Sequence, residues 1–153
     1  MTQKTLKARQ GGFTLIEILI VIGIIAVLAA IVLVAINPVR LFNKADDSQR
    51  WNDVNAILSA VGQEIVEERG VIPAAIPDES VDADDKVIAD DVVDICGILV
   101  PDHMASLPRD PDAGDAYATC EDDYITGYSI ERDGDNISVF VAGEVDGEIR
   151  VTR

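Results

Sequence analysis

The chain has 153 residues, with 28 acids against 12 bases and a formal net charge of −16. That length holds one modest globular domain plus one apolar segment. Such acidity argues against nucleic-acid binding through phosphates, which needs clustered Lys and Arg. It fits a solvated surface, a salty habitat or divalent cations.

Residues 1–12 carry Lys4, Lys7 and Arg9 and no acid. They are too short to fold, and their charge keeps them on the cytoplasmic side of a membrane, although Arg40, Lys44 and Arg50 follow later. Ile18 to Ile36 is a run of nineteen residues without a charge or a polar side chain. A bilayer-crossing helix needs roughly 20 apolar residues. Glu17 stands at the head of this run. A carboxylate in hydrocarbon costs roughly 2.5–3.5 kcal/mol or more at the centre and less near the interface, so it calls for a cationic partner. Gly23, Ala26, Ala29 and Ala30 let helices approach closely in lipid. A secretory signal is one competing reading, but it would have a shorter apolar core of about 7–15 residues and an A-x-A-like cut site. An uncleaved anchor is the other.

Pro38 removes a backbone donor and disfavours helix at Asn37, so it kinks or locally melts the chain there. Beyond it, Trp51, Val54, Leu58, Val61 and Ile65 form one apolar stripe, with Trp51 as a core anchor. Gly70 suits the position after a helix closed by Glu68 and Arg69. One helix is therefore expected from Phe13 to about Arg69, roughly 85 Å long, apolar all round in its first half and amphipathic in its second.

Pro73, Pro77 and seven acids from Asp78 to Asp91 mark an exposed connection, long enough that part is ordered against the sheet. Val92–Leu99 is ambiguous between helix and strand, and Pro101 suits the start of a helical turn through Ala105. Ile125 to Arg153 reads as three antiparallel strands, with turns at Asp133–Asn136 and Asp146-Gly147. Three short strands need another surface, and the stripe on residues 51–65 provides it. The expected fold is α+β: a long N-terminal helix packed on a small antiparallel sheet. No nucleophile elbow, phosphate loop or paired nucleophile and base is visible, which argues against an enzyme. His103, the only histidine, reads as a surface or satisfied residue.

Gly12-Phe13-Thr14-Leu15-Ile16-Glu17, with its basic leader and apolar run, resembles the processing motif of type IV pilins and type II secretion pseudopilins. The resemblance implies a prepilin peptidase cut between Gly12 and Phe13 and N-methylation of Phe13. Losing the leader's three cations would take the formal charge from −16 to −19. Glu17 would then neutralise the Phe13 amine of a neighbouring subunit and set the register of a fibre. The implied domains are a leader (1–12), a transmembrane and fibre-core half (13–37), and an extracytoplasmic head (38–153). The head comprises an amphipathic helix (38–69), an acidic region (70–124) and a sheet (125–153). The implied partners are copies of the chain, the peptidase/methyltransferase, and an inner-membrane assembly platform with its ATPase. The chain would start as a single-pass inner-membrane precursor and end in a surface filament.

In such a head, Cys96 and Cys120 read as a disulfide, against two buried free thiols. Leu107-Pro108-Arg109-Asp110-Pro111 resembles the L-P-x-D-P segment before the sheet in many pilin-like and major pseudopilin subunits. Asp112, Asp115, Asp122 and Asp123 follow, and oxygen-rich loops suit Ca²⁺. Calcium sites occur in the loop of some major pseudopilins, but the spacing here is not that of an EF-hand, and a solvated acidic loop is the alternative. The readings of function are a major or abundant pilin, a major pseudopilin, or a monomeric membrane-tethered binding module.

Overall fold

The computed structural model describes residues 12–145 and 147–153. It divides into two compact units, one ending at Val39 and the other running from Arg40 to Arg153.

In the first unit, helix α1 spans Leu15–Ala35. Its ladder stops at Ile36, whose backbone is extended (φ −94°, ψ 120°). Helix α2 then begins at Pro38 and runs to Glu67. The single helix expected from residue 13 to 69 is thus two. Pro38 has no N–H to continue the ladder and biases Asn37 away from helical angles. The same residue suits the first position of a new helix, where no donor is required.

In the second unit, α2 buries Asp47, Arg50, Val54, Ile57, Leu58, Ala60 and Val61. Trp51 is not a core anchor, as it is 42% exposed. The rest of the expected stripe faces the core, with Val54, Leu58 and Val61 buried and Ile65 packed against it, and Arg50 takes the place given to Trp51. After α2 the chain reverses through Arg69 and Gly70, and the Gly70 N–H reaches Ile65 O at 2.7 Å.

Four strands form one antiparallel sheet: β1 (Val87–Ala89), β2 (Ile125–Asp133), β3 (Asn136–Ala142) and β4 (Glu148–Thr152), adjacent in sequence order. The expected three strands are present, and β1 is an addition from the acidic connection. Alternation sets the faces: Thr126, Tyr128 and Ile130 of β2, Ile137, Val139 and Val141 of β3 and Ile149 of β4 are buried. All of these but Thr126 join Val54, Ile57, Leu58 and Val61 of α2 in one core cluster. Asp133 pairs with Asn136 across a two-residue loop, and Gly147 has φ +77°, while Asp146 lies outside the described residues. Val92–Leu99 contains a single helical turn, α3 (Cys96–Leu99). No helix starts at Pro101. Instead the N–H groups of His103 and Met104 bond back to Leu99 O, so the chain folds onto the end of α3.

Two devices hold the loops to this core. Cys96 and Cys120 form a disulfide, with Cα atoms 5.5 Å apart, over a separation of 24 residues. The other is ionic. Arg50 is 2% exposed, and its Nε and Nη2 donate to the two carboxylate oxygens of Asp110. Its Nη1 donates to Asp47 at 2.9 Å and its Nη2 to Asp112 at 2.7 Å. Asp47 also accepts the N–H groups of Glu144 and Val145, each at 2.8 Å, from the β3–β4 connection. Asp110 accepts the N–H groups of Asp112 and Ala113, each at 2.9 Å. Gly127, at φ +80°, faces this loop so closely that a Cβ there would lie 2.7 Å from Asp110 Cβ. Every partner of Arg50 is a charged acceptor, as a guanidinium out of water requires.

Burial pushes the Asp110 carboxyl up, but the Arg50 and backbone hydrogen bonds more than reverse it and hold it below the ordinary carboxylate range. Burial, reinforced by the nearby carboxylate of Asp53, pushes the Tyr128 hydroxyl well above its ordinary value. It therefore stays protonated and donates to Asp53 at 2.8 Å.

Reducing the disulfide, or replacing both Cys96 and Cys120 with Ser, is expected to cost about 3 kcal/mol, read as a lower denaturation midpoint. Asp110→Asn leaves Arg50 short of a charge and is expected to cost roughly 3–5 kcal/mol at neutral pH. Because the folded Asp110 pKa is depressed, its stabilisation is present above the unfolded value of about 3.9 and lost as pH falls through the folded one. Urea midpoints of wild type and Asp110→Asn should therefore converge on acidification below about pH 4.

Candidate processing and assembly site

Gly12 and Phe13 precede the helix cap outside any helix or strand, and Phe13 is 79% exposed. The Gly12–Phe13 bond therefore lies in accessible, non-helical chain, the state a peptidase needs. Thr14 is the helix cap, with extended angles (φ −78°, ψ 150°). Its Oγ1 accepts the Glu17 N–H at 3.2 Å, and the Glu17 carboxylate accepts the Thr14 N–H at 3.5 Å. This reciprocal pair satisfies two of the donors left over at a helix start.

The sequence reading gave Glu17 a cation in a neighbouring chain and missed this local role. The signal was present as Thr14-x-x-Glu17. The capping geometry fixes the carboxylate beside the Thr14 N–H. A helix N-terminus carries a partial positive charge of roughly half a unit, which favours the acid.

From Leu15 to Ala35, α1 buries none of its residues within the chain. Its twenty-one residues rise about 30 Å, the thickness of a bilayer core. Among the described residues it is the one helix long and apolar enough to cross a membrane. A helix apolar on every side with no intrachain cover must meet lipid or other protein.

The acidic candidates for calcium do not form one group. Asp112 is held by Arg50. Asp122 accepts the N–H groups of Ala118 and Thr119, at 3.1 and 2.8 Å, within its own turn. Asp115 and Asp123 line a shallow pocket with Asp90 and Asp91. Among the described residues, no group of three or more His, Cys, Asp or Glu is placed to hold a metal. His103 is a satisfied residue, its Nε2 lying 2.8 Å from Glu64.

Residues 7–33 match the family model described as the prokaryotic N-terminal methylation motif, the signature of type IV pilins and pseudopilins. The match takes in Lys7 and Arg9 of the leader, the Gly12–Phe13 bond, Glu17 and most of α1, and the fold is consistent with that of type IV pilins. Comparison with curated proteins returned no match, and neither did comparison with solved structures.

Proposed function

Starting from a chain with the type IV pilin and pseudopilin methylation motif, we propose that it is a structural subunit, a major or abundant pilin of a type IV pilus filament. One observation carries this reading: an apolar helix with no intrachain cover, headed by the capped Glu17 and an accessible Gly12–Phe13 bond. The motif points to a structural subunit rather than an enzyme.

On this reading residues 1–12 are a leader cut from the membrane precursor, and Phe13 becomes an N-methylated terminus. Residues 13–37 are the membrane and fibre-core segment, and residues 38–153 are the extracytoplasmic head. A prepilin peptidase/methyltransferase processes the chain, and an inner-membrane platform driven by an ATPase extracts it. The helices leave lipid for each other, exchanging one apolar surrounding for another, so packing and polar pairing decide the register. Glu17 contributes the polar pair, since one axial offset sets it beside a neighbour's Phe13 amine. The Leu107–Pro111 segment favours the second reading, a major pseudopilin of a type II secretion system.

Electron microscopy of sheared surface filaments, with intact mass of their subunit, tests the proposal. The expected mass lacks residues 1–12 and includes one added methyl group. A subunit that keeps Met1 and is never found in a filament would be a tethered monomer instead. Glu17→Ala should remain membrane-inserted while its filament yield drops roughly tenfold or more, the loss of one desolvated charge pair. Wild-type yield from that variant would refute the register role.

A further inference from the structure

Asn136 is one of five asparagines in the chain, and the one with a hydroxyl two residues on, in Asn136-Ile137-Ser138. Asn-x-Ser/Thr, with x other than proline, is the pattern at which a glycan is joined to an asparagine amide in exported chains. So short a pattern arises by chance in many sequences, and its position in the fold decides its meaning.

Asn136 opens β3 at the tip of the β2–β3 hairpin, paired with Asp133 across Gly134 and Asp135. Gly134, at φ +60°, makes the tight reversal. Asp133, Gly134, Asp135 and Asn136 are all exposed. A transferase must close around the acceptor and the residues on both sides of it, and a hairpin tip stands clear enough to be grasped.

The strand register matters as much as the exposure. Residues i and i+2 of a strand share one face. Ile137 is buried in the core, so Asn136 and Ser138 stand together on the outer face of the sheet. Ser138 Oγ lies 2.7 Å from Thr152 Oγ1 of β4, which holds the hydroxyl at that surface. The amide and the hydroxyl of the pattern are thus presented to the same side.

The Asn136 amide is also unspent. Asn43 Nδ2 donates to Glu144 at 3.5 Å, Asn55 Nδ2 donates to Trp51 O at 2.7 Å, and Asn37 is engaged too. Among the described residues, none hydrogen-bonds to the Asn136 side chain. Its NH₂ group carries two donors, and replacing one of them breaks no bond of the fold.

We propose that Asn136 is an N-glycosylation site, taking an oligosaccharide from a lipid-diphosphate-linked donor outside the cytoplasm. The step joins Asn136 Nδ2 to the anomeric carbon of the first sugar. The bond from that carbon to the diphosphate oxygen breaks, and the lipid diphosphate leaves with the electron pair. The transferase takes up the amide proton, and nothing is oxidised or reduced. This rests on the reading of residues 38–153 as an extracytoplasmic head.

Trypsin cuts after Arg132 and Arg150 and releases residues 133–150 as one peptide holding Asn136. Taken from filaments or membranes of the cells that make the protein, this peptide is expected to exceed its sequence mass by a whole number of sugar residues. Fragmentation should place them on Asn136. Asn136→Gln and Ser138→Ala should each abolish the increase, and Ser138→Thr should keep it. Thr152→Ala removes the partner of the Ser138 hydroxyl but not the pattern, so it should keep the increase as well. Asn136 is exposed and unbonded, so Asn136→Gln should melt as the unglycosylated wild type does. A processed, assembled chain whose 133–150 peptide has its bare sequence mass would overturn this inference and leave the polymer reading intact. Added mass that survives Asn136→Gln would lie on another side chain and overturn it too. A chain glycosylated on Asn136 that keeps Met1 and is never found in a filament would uphold the site and overturn the polymer reading. An unprocessed chain with a bare peptide would overturn both.

Discussion

The constraint behind the whole chain is that α1 has nothing of its own to bury against. Its twenty-one residues present apolar surface on every side. In water, at roughly 25 cal/mol per Å² of apolar area, such a helix would be strongly driven to aggregate. It therefore needs lipid or other protein around it. That requirement explains why the polar features of the segment sit at its ends. Thr14 and Glu17 close the start of the helix, and Pro38 opens the next helix without leaving an unpaired N–H.

The head solves a different problem. A small core of aliphatic residues and tyrosines must hold long loops rich in acids. Arg50 does this from the buried face of α2 by binding Asp110 and Asp112 of the loop beside Asp47 of its own helix. Asp47 carries the connection onward to the β3–β4 loop. Here charge acts as an internal tie, and the remaining acidity faces solvent. Lys86 and Arg150 act similarly toward Glu131, at the sheet. Burial raises that carboxyl, and the two cations more than offset it.

Much of this was legible because it depends on local patterns. The apolar run, the break before Pro38 and the alternation of β2, β3 and β4 are visible within a few residues of sequence. What was not legible depended on partners far away. Arg50 and Asp110 lie 60 residues apart, so an ion pair between them leaves no spacing to read. Strand β1 is three residues among acids, too short for a period, and becomes a strand only because β2 is beside it. Trp51 reads as inward from its place at the head of the apolar stripe, whereas the helix turns Arg50 inward instead because the loop supplies enough carboxylates to satisfy it. The Asp-rich loop read equally as solvated or metal-binding, since the sequence does not show that Asp112 and Asp122 are engaged by Arg50 and by turn amides.

The Cys96–Cys120 bond encloses the helical turn, the doubled-back chain at Pro101 and the Leu107–Pro111 segment in a single covalent ring. A protease cutting any one peptide bond inside that ring separates nothing: both new ends remain attached through sulfur. The ring makes this loop-rich stretch tolerant of a single scission.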